Sequence, residues 1–199
     1  MDSKKDILDK TLWVAHSLFD RNRTTGSCAN ISFRYENHIF ISKSGSSFGR
    51  ITESDFVETD LGGNIISGGK PSKELPIHLA FYKKNEQNQS VIHTHGPYAS
   101  LLSCLTDLDP DDAIVSYTPY LKMKTGKVAL VPYALPGSSE LFSMVYERVL
   151  YGDALLLANH GAVVAGKDPL DAFYQIEELE ESARINWMLR NEQNARKIE

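Results

Sequence analysis

The stretch that most restricts the fold is residues 153–165. Residues 153–158 make a continuous apolar run of strand length, Asn159-His160-Gly161 turns it, and residues 162–165 form a second apolar run. Two such runs joined by a turn of this composition read as a buried hairpin. A strand without a polar face belongs inside a layered structure, where other elements cover it. With 199 residues and 42% hydrophobic content the chain can fill one good-sized core, and it reads as a single domain over residues 1–199.

Helical and extended signals alternate along the rest. In residues 5–20, Ile7, Leu8, Leu12, Val14, Ala15 and Leu18 recur at near-helical spacing, and residues 24–30 break the pattern. Ile31, Phe33, Tyr35 and then Ile39 and Ile41 alternate around Glu36-Asn37, which predicts a two-stranded hairpin. A β run over residues 55–66 leads into the turn-rich residues 67–72, after which Leu75, Leu79 and Tyr82 mark one side of a helix. Residues 90–95 predict a strand, Gly96-Pro97 ends it, and residues 98–105 resume helical spacing. Asp168-Pro169 is an N-cap followed by proline at the first helical position, opening a long helix with Phe173, Ile176, Leu179, Ala183 and Trp187 as its inner stripe. There is no internal repeat and no glycine-rich dinucleotide fingerprint. The expectation is an α/β fold, a layered domain with a central, mainly antiparallel sheet flanked by helices.

The residues with chemistry to offer lie at the ends of these strands. His93-Thr94-His95 is on a predicted strand, where side chains two apart leave the same face, so both imidazoles would converge at a sheet margin. Alone, the pair reads equally well as two hydrogen-bonded histidines on a sheet edge. His160 is a third candidate, because an imidazole at the tip of an apolar hairpin has no packing reason to be there. Three histidines with one position left open are the usual donor set of a catalytic zinc site, whereas structural sites close with four ligands, often thiolates. Glu74 stands in the first turn of a predicted helix. There a carboxylate gains from the helix dipole and can also serve as a general base. His16, His38 and His78 read as structural or surface groups, with His78 sharing a helix face with Glu74 four residues earlier.

Composition narrows the partners. The formal net charge is -5 and no run of Lys and Arg makes the basic footprint that a nucleic-acid binder needs, so nucleic acid is not an expected partner. No stretch is long and apolar enough to span a bilayer, and the N-terminus runs into an amphipathic pattern, so the expected location is the cytoplasm, away from membranes. Cys28 and Cys104 are too few for a disulfide framework and are expected to be buried or incidental.

The runs Ala29-Asn30-Ile31-Ser32, Ser44-Gly45, Pro71-Ser72-Lys73-Glu74, His93-Thr94-His95 and Ala158-Asn159-His160-Gly161 together resemble the class II aldolase/adducin family, in order and over nearly the whole chain. Residues 117–126 and 129–137 look most like the branch that decarboxylates 3-oxo-tetronate 4-phosphates. The resemblance implies one divalent metal ion per subunit, zinc by expectation, on His93, His95 and His160, with Glu74 as acid/base and as an additional ligand when no substrate is bound. It also implies phosphate binding at Asn30, Ser44, Gly45 and Ser72, and a homotetramer with active sites near subunit boundaries. In such an assembly Tyr120 would reach a neighbouring site as a proton donor, the alternative being an interface or core tyrosine. Ala29 and Lys73 depart from the sugar-phosphate aldolase pattern, where Gly and Ser are common, and Lys73 offers a counter-charge to phosphate or carboxylate. The implied activity is decarboxylation to dihydroxyacetone phosphate and CO2. The alternatives are fuculose- or rhamnulose-phosphate aldol cleavage, ribulose-phosphate 4-epimerisation, or a non-catalytic adducin-like interaction module.

Overall fold

A computed structural model describes residues 2–198. Its centre is an eight-stranded sheet in the order β4-β3-β2-β1-β5-β8-β7-β6. The strands are β1 (Asn30–Tyr35), β2 (His38–Ser42), β3 (Phe56–Asp60), β4 (Ile65–Ser67), β5 (Ser90–Thr94), β6 (Ala129–Val131), β7 (Ala154–Leu157) and β8 (Gly161–Gly166). Every neighbouring pair is antiparallel except β6 and β7, which run parallel. The helices are α1 (Lys4–Asp20), α2 (Leu75–Lys84), α3 (Pro97–Ser103), α4 (Tyr120–Thr125), α5 (Ser139–Arg148) and α6 (Pro169–Leu189).

The two-residue period of the strands sorts their side chains into two cores. Ile31, Phe33, Ile92, Leu156 and Val164 face α1, α3 and α6, while Ile41, Val91, Leu155, Leu157 and Val163 face α2 and α5. This is why β7 and β8 are apolar at every position: each is buried on both faces. Each Leu or Val so buried contributes about 1.5–3 kcal/mol, which no polar residue could replace there. The hairpin of residues 153–165 therefore lies inside the sheet, with β5 on one side and β6 on the other, as its sequence demands.

Local signals hold at the helix ends. Asp168 accepts a hydrogen bond from the Asp171 N–H, with Pro169 opening α6, and Ser3 and Asp6 form a capping box on α1. The inner stripe of α6 needs one correction. Phe173, Ile176, Leu179 and Ala183 are buried, but Trp187 is half-exposed and Asn186 turns inward instead, its amide exchanging hydrogen bonds with the backbone of Val115. A second correction concerns Cys28 and Cys104, which are free thiols on the surface. The helices α4 and α5 and the strand β6 carried no clear sequence signal. Among the described residues no helix is long and apolar enough to cross a membrane.

Candidate active site and metal centre

The antiparallel register places the ends of β1, β5 and β8 side by side, with Asn30 opposite His93 and His93 opposite Val163. His93 is the last residue but one of β5, on the α2 side of the sheet, and His95 follows one residue past the strand's end. Between β7 and β8, Asn159 takes the left-handed conformation at φ 53° that Asn tolerates, and the turn aims His160 at the same place. Gly161 is needed beside it, because a Cβ there would lie 2.9 Å from the His95 ring and closer still to the Thr94 carbonyl. The three rings meet edge to face with centroids 4.8–4.9 Å apart.

Glu74 completes the cluster from the N-cap of α2. Its side chain makes no capping hydrogen bond with the helix, so dipole stabilisation does not account for where it points. Oε2 lies 3.4 Å from His93 Nε2 and Oε1 3.4 Å from His160 Nε2, with the carboxylate 6% exposed. Among the described residues Oε1 has no hydrogen-bond partner.

The donor chemistry fits a divalent cation. His93 Nδ1–H donates to the Ala162 carbonyl at 2.9 Å, which leaves Nε2 of the neutral ring with its lone pair toward the cluster. His95 Nε2 stands 3.0 Å from that atom. Two nitrogens each about 2.0–2.1 Å from one tetrahedral ion lie about 3.3 Å apart, close to the spacing found. All three rings offer a nitrogen to a common point, their ligand atoms within 4.8 Å of one another. Burial pushes all three imidazoles down, to about 4 for His95 and His160, and mutual repulsion and Lys73 add to the effect at those two. They are therefore uncharged at neutral pH, the form in which an imidazole can take a metal ion. Burial works to raise the Glu74 carboxyl, but the pull of His93 and His160 when protonated and the Asn30 amide outweigh it and hold it below its usual range.

An open cleft of about 490 Å³ leads to this cluster, and its walls collect Asn30, Ser44, Gly45, Ser72, Lys73, Glu74, His95 and His160 from five separate chain segments. The Ser44 and Ser72 N–H groups are already committed, donating to the Lys70 and Ser42 carbonyls. What the cleft wall offers is thus the Ser44 and Ser72 side chains, with Ser72 Oγ accepting from the Glu74 N–H at 3.3 Å, and Gly45, held at φ 81°, rather than a cradle of serine N–H groups. Asn30 is also committed in part, donating from Nδ2 to Glu74 Oε2 at 2.8 Å. Lys73 is exposed at the rim, its stem packed beside Gly137. Tyr120 is exposed on α4 and is not among the groups lining the cleft of its own chain. Sequence reasoning passed over Ser32, Tyr82 and the buried role of His78, although the four-residue spacing of Glu74, His78 and Tyr82 was a usable signal.

Fold and site together define a class II aldolase-type chain. Residues 10–187 match the family model for the class II aldolase and adducin N-terminal domain, and the chain belongs to that family. The 3-oxo-tetronate 4-phosphate decarboxylase of Haemophilus influenzae is 42% identical over 190 residues, covering 94% of this chain and 90% of its own. An L-fuculose phosphate aldolase of Methanococcus maripaludis is 38% identical, covering 89% of this chain and 94% of its own. Among solved structures, YgbL of Klebsiella pneumoniae superposes with a TM-score of 0.95 at 34% identity, covering 100% of this chain and 96% of its own.

Proposed function

We propose that this chain is a metal-dependent carbon–carbon lyase that decarboxylates a 3-oxo-tetronate 4-phosphate to dihydroxyacetone phosphate and CO2. The observation that carries this is the His93/His95/His160 cluster with Glu74 at the floor of a cleft rimmed by hydroxyls and Lys73. The similarity to the Haemophilus influenzae decarboxylase over 94% of the chain supports the choice of reaction within the family. A divalent ion on the three histidines, with zinc the best match to three imidazole nitrogens and one open position, supplies Lewis acidity toward the oxygens of a bound ketone.

The protein's own groups do the rest. Ser44, Gly45 and Ser72 hold the phosphate, and Lys73 meets the second negative charge of the substrate at the rim. The bond between C1 and C2 breaks, its electron pair forms a second C2–C3 bond as the C3 carbonyl's π pair moves onto its oxygen, and CO2 departs; the carbonyl re-forms when C2 is protonated. C2 then takes a proton, so one proton is consumed per CO2 released. Glu74, ionised at rest and open to the cleft, takes up that proton from solvent and passes it to C2. We assign the chain to a single domain over residues 1–199 and to a cytoplasmic homotetramer in which Tyr120 serves a neighbouring subunit's cleft.

The test is to supply the oxo acid to purified protein of known metal content and measure CO2, then supply fuculose or rhamnulose phosphate and look for an aldehyde. CO2 release from the oxo acid is the expected result. Rapid aldehyde release without it would move the chain to the aldolase branch, and turnover of neither with no metal retained would favour an adducin-like interaction module.

A further inference from the structure

Behind Glu74 runs a line of polar side chains that the reaction as described does not use. Tyr82 Oη lies 2.7 Å from Ser32 Oγ, and Ser32 Oγ 2.7 Å from His78 Nδ1. His78 Nε2 lies 2.5 Å from Asn30 Oδ1, and Asn30 Nδ2 2.8 Å from Glu74 Oε2. The line is built from two rails. Glu74, His78 and Tyr82 repeat every four residues along one face of α2, and Asn30 and Ser32 repeat every two along the facing side of β1. His78 and Ser32 are fully buried, Tyr82 and Asn30 nearly so, among the apolar side chains of the α2 core.

Every proton in this line has a fixed direction. An ionised carboxylate only accepts, so Asn30 must turn its NH2 toward Glu74 and its Oδ1 toward His78. Oδ1 needs a donor, so His78 carries its proton on Nε2. A neutral imidazole has a single N–H, so Nδ1 accepts from the Ser32 hydroxyl, and Ser32 in turn accepts from Tyr82. Burial keeps His78 neutral, pushing it down to about 3, and keeps the Tyr82 hydroxyl protonated by raising it. Any member reversed would leave two donors or two acceptors facing each other in a dry interior, a cost of about 1–3 kcal/mol.

We infer that His78 is a positioning residue for Glu74: held in its Nε2–H form by Ser32 and Tyr82, it locks the Asn30 amide so that Oε2 is anchored beside His93 and Oε1 is left beside His160 at the cleft. A histidine suits this place because a neutral imidazole carries one donor and one acceptor on opposite edges and so passes the direction from helix to strand. This rests on the reading of Glu74 as the group that moves the proton.

The experiment has two arms. In the first, 15N-imidazole NMR of the metal-loaded wild-type protein should report His78 as the Nε2–H tautomer; an Nδ1–H or cationic ring overturns the inference whatever the substrate proves to be. In the second, kcat, KM and metal content are measured for His78→Leu, His78→Gln and Glu74→Gln and for the His78→Leu/Glu74→Gln pair, on whichever substrate the wild-type protein turns over. His78→Leu should lower kcat about 10- to 100-fold, with KM within about twofold and metal content unchanged. His78→Gln, which keeps an N–H for Asn30, should recover most of the loss and serves also if the leucine variant does not fold. In the Glu74→Gln background the loss of His78 should cost less than about twofold more. Losses that multiply, or a fall in metal content in place of kcat, overturn it. Wild-type turnover in Glu74→Gln removes the role of Glu74 and that of His78 with it, whereas a wild-type protein inert toward the oxo acid but active on an aldol substrate corrects only the reaction.

Discussion

At the scale of residues, three neutral imidazoles offer nitrogens to one point beside an ionised carboxylate, and Glu74 Oε1, without a hydrogen-bond partner among the described residues, is a lone pair available to a positive charge. Removing one ligand should therefore be felt first in metal retention: His95→Ala should lose its metal, as measured by elemental analysis of the purified protein, and full occupancy would return the cluster to a structural role. Glu74→Gln keeps the shape and removes the base, so turnover should fall by about two orders of magnitude or more while thermal unfolding changes little. The buried His78 makes a separate prediction about pH. Unfolded, it titrates near 6.5, and folded, burial holds it at about 3. Between those values the unfolded chain binds the extra proton, so folding stability is complete above about pH 6.5 and declines as the pH falls toward 3, by up to about 1.4 kcal/mol per unit from this residue alone. The other three histidines and Glu74, also held down, act with the same sign. Urea unfolding of metal-free protein at a series of pH values checks this, and His78→Gln should show a shallower acid decline.

At the scale of elements, the site depends on how α3 begins. β5 ends at Thr94, and the chain must turn through His95-Gly96-Pro97 into a helix whose first N–H groups have no partner within the helix. Glu180, reaching from α6, accepts from the Tyr98 and Ala99 N–H groups at 2.7 and 2.9 Å. Gly96 is required because a Cβ there would run into the Glu180 carboxylate. The long helix thus fixes the corner on which His95 stands. Glu180→Ala strands two buried donors and should cost about 1–3 kcal/mol in urea denaturation, with reduced metal affinity as the corner loosens. Stability equal to the wild type would mean that water replaces the carboxylate and that α6 does not hold the corner.

At the scale of the whole molecule, the cleft is open, and Tyr120 stands away from it on an exposed part of α4. If the assembly brings a neighbour's Tyr120 to the cleft, Tyr120→Phe should lower turnover about tenfold or more in a protein whose sedimentation is that of a tetramer. Wild-type turnover in that tetramer would leave Tyr120 an interface residue. The sequence by itself determined the features that local periodicity and chain chemistry dictate: the buried hairpin of β7 and β8, the cap of α6, the shared face of His93 and His95, and the oddity of His160 in an apolar turn. A period of two or of 3.6 is written into neighbouring residues, so these could be read without coordinates. The short α4, α5 and β6 were not legible, because short elements take their stability from the surfaces they pack against. Only the tertiary structure decided that Glu74 points away from its own helix, that the Ser44 and Ser72 N–H groups are spent on neighbouring backbone, and that Asn30, Ser32, His78 and Tyr82 form one line. Those facts depend on the register between β1 and α2, elements about forty residues apart in the chain, and a hydrogen bond's direction is settled by both of its partners at once.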